Sequence, residues 1–314
     1  MHTLIVTTPT PQTSLPDVGI SVVIDCQISV VVVSYNRVDA LIETLAIITS
    51  LSPLPSRIVV VDNASTDDSA SRVRATFPNV QLIIQPTNSG VAAFNQGVRA
   101  CDSEFILILD DDARPDPASL AHAHQAMQHL PTLVAVPLLP VHPKTNRPEW
   151  REQITTHRFP MMGCANLVRR SAWLATGGYC EAFFLYRNDT DLALCFLALQ
   201  TLDGSRHDVY FNPAWHAWHD SPAATRKSER WLELATRNWI WMARRHARGF
   251  DRVLGPLLGA LWALWLASVS ISRVARVLTG VFAGIFSPAP KLPIAVKPDG
   301  LAYRALLRKQ LRRG

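Results

Sequence analysis

The chain has 314 residues, 48% hydrophobic and 18% charged, with a formal net charge of +6. That length suits one large α/β domain with an appendage or two modest domains, and so low a charged fraction leaves an apolar excess that must have a location. Five cysteines, Cys26, Cys101, Cys164, Cys180 and Cys195, with no Cys-x-x-Cys pair, argue against a disulfide framework and a zinc knuckle and fit a reducing cytosolic setting. Met1 to Pro16 has no basic stretch leading into a long apolar core, so residues 1–27 read as a loose tail rather than a secretory signal.

Ile20 to Ile24 is a short apolar run, an edge strand or part of that tail. Ile28 to Ser34 (ISVVVVS) is a β-branched run, and Asp39 to Ser50 follows with helical spacing through Leu41, Leu45 and Ile48. Arg57 to Val61 gives a second buried strand, followed by a helix through about Ala75. Val80 to Ile84 gives a third, and the turn-rich Pro86 to Gly90 leads into a helix from Val91 to Ala100. Phe105 to Leu109 is five apolar residues in a row, a strand covered on both faces. Strands alternating with helices, with polar residues where strands end, predict an open, mostly parallel α/β sheet with its ligand at the strand carboxyl ends.

The Phe105 strand runs into Asp110, Asp111 and Asp112. Adjacent carboxylates repel and call for a cation. Alternation sends Asp110 and Asp112 to one face and Asp111 to the other, so the outer pair can grip one hard divalent ion; a solvated acidic turn before the helix at Pro117 is the plain alternative. That helix runs to Leu130, Thr132 to Leu139 is strand-like, and Pro140 to Pro160 is irregular and suits an acceptor-side loop. Gly163 to Arg170 reads as a strand, with a helix from Ser171 to Gly177-Gly178. A second acidic stretch, Asn188-Asp189-Thr190-Asp191, precedes a helix from Leu192 to Gln200. Val209 to Phe211 is a short strand, and Trp215-His216-Ala217-Trp218-His219 follows.

Thr225 to Arg248 reads as a helix in which Trp231, Trp239 and Trp241 alternate with arginines. Such interleaving can stack on single-stranded nucleic acid, but helical aromatics more often pack into a core or lie at a membrane interface, so no nucleic-acid partner is expected. Val253 to Ile271 carries no charge and is long enough to consider as a span, though Gly255, Pro256 and Gly259 weaken that reading. Arg273 and Arg276 precede a further apolar run, Val277 to Phe286, and Arg304, Arg308, Lys309, Arg312 and Arg313 close the chain. Apolar helices flanked by basic residues predict that 249–314 attaches peripherally to an anionic membrane.

Taken together, Ser34-Tyr35-Asn36-Arg37, Val61-Asp62-Asn63-Ala64-Ser65-Thr66-Asp67, Asn88-Ser89-Gly90, Asp110-Asp111-Asp112 and Asn188-Asp189-Thr190-Asp191 resemble the family 2 glycosyltransferases of GT-A fold, especially the branch with bacterial rhamnosyltransferases and galactofuranosyltransferases. The resemblance spans roughly Ile28 to Arg245 and implies a catalytic domain over 28–248. It implies that Ser34, Asn36, Arg37, Asp62 and Asn63 hold the nucleotide of a UDP- or dTDP-linked sugar. Asp62 has acceptor oxygens suited to an imide N–H, and a helix N-cap is its alternative. Gly90, Asn95 and Arg99 would flank the donor sugar, with Asp110 and Asp111 beside the ribose, diphosphate and sugar. Asp110, Asp112 and His216 would bind Mn²⁺ or Mg²⁺, His219 being the competing imidazole.

Asp189 matches the family's general base, with Asp191 close by as a second catalytic carboxylate. One departure is Asn188, where relatives carry a carboxylate. The implied activity is inverting, metal-dependent transfer of a rhamnose- or galactofuranose-type sugar to a glycan or lipid-linked hydroxyl, in cell-envelope polysaccharide synthesis at the cytoplasmic membrane face. A non-catalytic nucleotide-sugar-binding protein on the same fold is the rival, and a nucleotidyltransferase is disfavoured because no Gly-rich, Lys-bearing loop follows the first strand.

Overall fold

The run ISVVVVS lacks polar alternation, so both of its faces must be covered, and it folds as an inner strand of a large sheet. In the computed structural model, which describes residues 27–149, 161, 163–199, 204–220, 228–267 and 270–311, this run is β1 (Ile28–Ser34). It is followed by α1 (Val38–Ile48), β2 (Arg57–Asp62), α2 (Ser69–Thr76), β3 (Gln81–Ile84), a 3-10 turn at Gly90–Ala92, α3 (Ala93–Arg99) and β4 (Phe105–Asp110). β1 pairs in parallel with β2 on one side and β4 on the other, and β2 pairs in parallel with β3. The chain thus steps outward from β1 to β3 and returns across β1 to β4. Such a reversal of strand order opens a crevice beyond the strands' carboxyl ends, here next to Ser34 and Asp110.

Next come β5 (Ala113–Pro115), α4 (Pro117–His129), β6 (Leu133–Pro137), β7 (Leu139–His142), β8 (Arg147–Pro148), β9 (Ala165–Arg169), α5 (Arg170–Thr176), α6 (Asn188–Ala198), β10 (Asp208–Val209) and β11 (His216–His219). The seven-stranded sheet has the order β10-β6-β9-β4-β1-β2-β3, with β9 antiparallel to its neighbours β4 and β6. A four-stranded sheet, β5-β11-β7-β8, borders the crevice. The sequence predicts one strand over Thr132–Leu139, whereas the chain changes sheets at Leu138. Pro137 and Pro140, which lack an N–H for a ladder, bracket the change. The β7–β8 hairpin lies within the stretch expected to be irregular. The rest of that stretch, 150–160, and the expected tail with Ile20–Ile24 lie outside the described residues.

Alternation sorts the sheet's apolar residues into two cores. Val30 and Val32 of β1 and Leu107 and Leu109 of β4 pack with Leu41 and Leu45 of α1 and Leu120 and Met127 of α4. Val31, Ile106 and Ile108 face the other way, against Phe94 and Val98 of α3, Trp173 of α5 and Phe196 of α6. Burial on both faces fixes the strand ends rigidly, which is what a site built on those ends requires.

The chain then forms α7 (Glu229–His246), α8 (Asp251–Ala267), α9 (Ile271–Phe286) and α10 (Gly300–Leu311). Residues 253–267 of the stretch Val253–Ile271 lie in α8 and Ile271 opens α9, and no described helix is long and apolar enough to cross a membrane. α8 and α9 pack on α7 through small residues: a Cβ at Gly259 would collide with the Trp239 ring, and one at Gly280 with the Glu233 carbonyl. The opposite faces stay bare. On α8 these are Val253, Leu257, Leu261 and Trp265, spaced by four, and on α9 Leu278, Phe282 and Phe286.

Candidate active site

At the end of β4, the half-buried Asp110 is followed by the buried Asp111 and Asp112. Asp111 accepts a hydrogen bond from the Ser34 hydroxyl at 2.8 Å, and its other oxygen lies 3.1 Å from Arg37 Nη1. Arg37 Nη2 stands 2.8 Å from Asp112 Oδ2, so one guanidinium spans two carboxylates. Burial pushes Asp111 up to about 6 in spite of Arg37 and Ser34. For Arg37 burial works against the charge, but Asp111 and Asp112 outweigh it and its pKa rises.

Asp110, Asp112 and His219 each offer one ligand atom, and the three atoms lie within 4.8 Å of one another. His219 Nε2 is 3.2 Å from Asp112 Oδ1, and His219 Nδ1 is 3.0 Å from Glu149 Oε1. Burial, reinforced by Asp112, holds Asp110 well above the usual carboxylate range. Burial opposes charge on both His219 and Asp112, yet their contact prevails: the imidazole pKa goes up and that of Asp112 down. The buried Oδ1 of Asp112 has no aligned hydrogen-bond donor. Two hard oxygens and an imidazole nitrogen around such an atom fit a divalent cation. Glu149 occupies the place of the carboxylate that commonly orients a ligating histidine.

The sequence favours His216 here, and the structure brings His219 instead. Strand β11 alternates: His216 and Trp218 share the more open face, their rings edge-to-face at 4.8 Å, while Ala217 and His219 point inward. The register sets His219 opposite Ala113, the neighbour of Asp112.

The other donor-side residues build the loops around the crevice. Asn36, at φ +54°, accepts from the Thr66 N–H at 2.7 Å and tethers the β1 loop to the β2 loop. Buried Asp62 accepts from the Ser65 N–H at 2.7 Å and closes a turn; it does not cap α2, whose N-cap is Asp68. Asn63 accepts from the Ser89 N–H at 2.9 Å and donates to the Gly90 carbonyl at 2.9 Å. Gly90 has φ +61°, and a Cβ there would strike the Phe184 carbonyl oxygen, so only glycine lets these two loops meet. The Asn95 amide brackets the backbone of Tyr179, accepting from its N–H at 3.0 Å and donating to its carbonyl at 2.8 Å. Arg99 is exposed in the last turn of α3, a helix that leads away from the crevice, so the structure does not group it with the others.

Asp189 stands in the first turn of α6, which begins four residues earlier than predicted. The Tyr179 hydroxyl donates to its Oδ1 at 2.6 Å, and its Oδ2 is 3.6 Å from where a Cβ of Gly163 would be. The next residue, Cys164, accepts the Asp110 N–H at 3.0 Å, so the approach to β9 links the two acidic groups. Burial pushes Asp189 up to about 6 against the Tyr179 hydrogen bond. The sequence offers no signal for Tyr179 or Glu149, each brought in by tertiary packing.

Asp191 is not in the crevice. Residues two apart on a helix point roughly 200° from each other, and Asp191 is buried against α7. Arg245 Nε lies 2.9 Å and His246 Nε2 2.8 Å from its Oδ1. Among the described residues Asp191, Cys195 and His246 form the other cluster with metal-ligand spacing, but Arg245 already supplies the positive charge. The segment before α6 is strained: Phe184, Tyr186 and Arg187 have φ of +64°, +68° and +64°, each costing about 1–3 kcal/mol.

The family model described as glycosyl transferase family 2 matches residues 29–191, just over half of the chain. The uncharacterized glycosyltransferase YwdF of Bacillus subtilis is 37% identical over 89 residues, 27% of this chain and 32% of that protein, so the chain spans about a third of that relative's length. The N-acetylglucosaminyl-diphospho-decaprenol L-rhamnosyltransferase of Mycobacterium tuberculosis is 26% identical, with 52% of this chain and 68% of that protein covered.

Among solved structures, the mannosyltransferase PcManGT of Pyrobaculum calidifontis, in complex with GDP-Man and Mn²⁺, aligns with TM-score 0.54 at 20% identity over 91% of this chain and 79% of that one. Staphylococcus aureus TarS 1–349 aligns with TM-score 0.51 at 15% identity over 83% and 72%. At such identities these two speak for the fold alone, a mixed α/β GT-A fold with a mostly parallel central sheet. The family match begins on β1, crosses the Ser34, Asp62 and Asp110 loops and ends on the Asp189 helix turn, and on that ground the chain belongs to glycosyl transferase family 2 and is a glycosyltransferase.

Proposed function

We propose that this glycosyltransferase moves a sugar, with inversion, from a UDP- or dTDP-linked donor to a hydroxyl of a glycan or lipid-linked acceptor. A rhamnose- or galactofuranose-type sugar is favoured, in line with the rhamnosyltransferase relative, and so is a role in cell-envelope polysaccharide synthesis. The observation that carries the reading is the convergence of Asp110, Asp112 and His219 at the switch between β1 and β4, with Asp189 close to Gly163, the neighbour of the Cys164 carbonyl that accepts the Asp110 N–H.

In this reading Asp62 and the Asn36 loop take the nucleoside, and Ser34 and Arg37 hold Asp111 and Asp112 in place. Asp110, Asp112 and His219 would hold Mn²⁺ or Mg²⁺, the imidazole favouring Mn²⁺. A bound ion supplies Lewis-acid stabilisation of the leaving diphosphate. Asp189 takes the acceptor hydroxyl proton as that oxygen bonds to the anomeric carbon and the bond to the diphosphate breaks. Tyr179 fixes which carboxylate oxygen is free to do so.

The bare faces of α8 and α9, with Arg248, Arg252 and Arg273 nearby, are proposed to rest on an anionic membrane where a lipid-linked acceptor would be found.

The site is tested by titrating UDP and dTDP into the protein with Mn²⁺, by calorimetry, for wild type, Asp112→Ala, His219→Ala and His216→Ala. The first two variants should lose Mn²⁺-dependent binding by roughly 10–100-fold and the third should keep it. Equal loss on His216→Ala, or none on His219→Ala, would remove His219 from the site.

A further inference from the structure

The segment Phe183–Arg187 lies between the two halves of the crevice. At one end the Phe184 carbonyl accepts from the Val91 N–H at 2.9 Å, on the Gly90 turn; at the other, Arg187 is the N-cap of α6, two residues before Asp189. Three of its residues have positive φ without being glycine, a conformation that persists only when the surroundings impose it. Those surroundings come from helices beyond residue 191, where the family match stops.

Asn238 of α7 is fully buried, and its Nδ2 stands 2.9, 2.8 and 2.9 Å from the carbonyl oxygens of Phe183, Leu185 and Tyr186. Its Oδ1 accepts from Arg237 Nε at 3.0 Å, and Arg237 Nη2 donates in turn to the Phe183 carbonyl at 3.0 Å. The Arg187 guanidinium carbon sits 4.9 Å from the Trp239 ring centroid and 5.4 Å from that of Trp262. Trp239 cannot swing away, since its Nε1 donates to the Gly255 carbonyl at 2.7 Å and Gly259 presses on the ring. The carbonyls of the strained segment are thus gripped by α7 and its last residue by a stack shared between α7 and α8.

We propose that Asn238 and the Trp239–Arg187–Trp262 stack are positioning elements for the transfer step, holding the segment that aims Asp189 at the acceptor. This rests on the reading of Asp189 as the base. The helices after residue 228 are then part of the reaction machinery, although none of these three aromatic or amide side chains is assigned contact with substrate. The Gly90 end of the segment has its own tie through Val91, so loosening the Arg187 end disturbs the base more than the donor.

The test uses the full chain as wild type, Asn238→Ala, Trp262→Ala, Trp262→Phe and Asp189→Asn. It reads hydrogen exchange of the amides of residues 184–190, and kcat and KM for nucleoside diphosphate release from the UDP- or dTDP-sugar that the wild type turns over. In Asn238→Ala and Trp262→Ala, exchange should quicken and kcat should fall by about tenfold or more, as small misplacement of a reacting group does, with donor KM within about twofold. Trp262→Phe should recover most of the rate. Trp262 is partly exposed, so its replacement answers the question even if Asn238→Ala does not fold. Wild-type exchange or wild-type kcat in Trp262→Ala would overturn the proposal. Full transfer by Asp189→Asn, with its exchange unchanged, would instead remove the base reading and leave the grip on the segment standing.

Discussion

The donor-side crevice and the base-side segment are held in place by different means. At the crevice the strands themselves deliver the groups: Ser34 ends β1, Asp62 ends β2 and Asp110 ends β4, and the register Ser34↔Asp62 and Val33↔Asp110 aligns them with no help from afar. On the base side nothing in the local chain favours the observed backbone. Three non-glycine residues are left-handed there, and side chains some fifty residues later impose it. Donor-side substitutions should therefore act where they are made, whereas base-side effects can originate far along the chain.

The sharpest break of that contrast is Asp189→Asn, which keeps the shape and removes the basicity. Transfer should fall by about 10²–10⁴-fold, with Mn²⁺-dependent UDP or dTDP binding unchanged by calorimetry. If binding collapsed as well, the two regions would not be separable. A smaller effect is expected at the bare helix faces. Phe282→Asp with Phe286→Asp removes two exposed rings, each worth about 1.5–3 kcal/mol when buried, and should release the protein from liposomes containing anionic lipid in a flotation assay. Donor binding should survive, and added salt should weaken wild-type attachment.

The smallest effect should come from Tyr179→Phe. Asp189 has a raised pKa of about 6, so transfer should rise with pH through that value as the carboxyl ionises. The Tyr179 hydrogen bond favours the charged form, so its loss should move the acidic limb to higher pH. An unmoved limb in the pH–rate profile would mean that another group sets it.

The same contrast explains what the sequence discloses. Buried parallel strands show as unbroken Val and Ile runs, and the polar residues at their ends are visible because the chain changes character there. His219 is hidden for a different reason. His216 and His219 point to opposite faces of β11, and which face meets Asp112 depends on the pairing of His219 with Ala113, a register no local pattern encodes. Helix geometry separates Asp191 from Asp189, since the two cannot share a face of a helix that starts at Asn188. Tyr179 and Glu149 reach the site only through contacts between distant segments. Asn95 is readable as a site residue by resemblance, yet its amide is spent on the Tyr179 backbone.

The pairing of Asp191 with Arg245 and His246 bears on how this protein can be cut into pieces. The family match ends at residue 191, an inviting place to trim an expression fragment. A fragment ending there would strip both Arg245 and His246 from a carboxylate that is 2% exposed, and breaking a buried pair by removing one side costs about 3–5 kcal/mol. It would also bare Phe183, which packs with Met242 and Trp239. A soluble fragment for crystallisation or inhibitor screening has to run past His246, and the practical boundary is set by an ion pair rather than by sequence similarity.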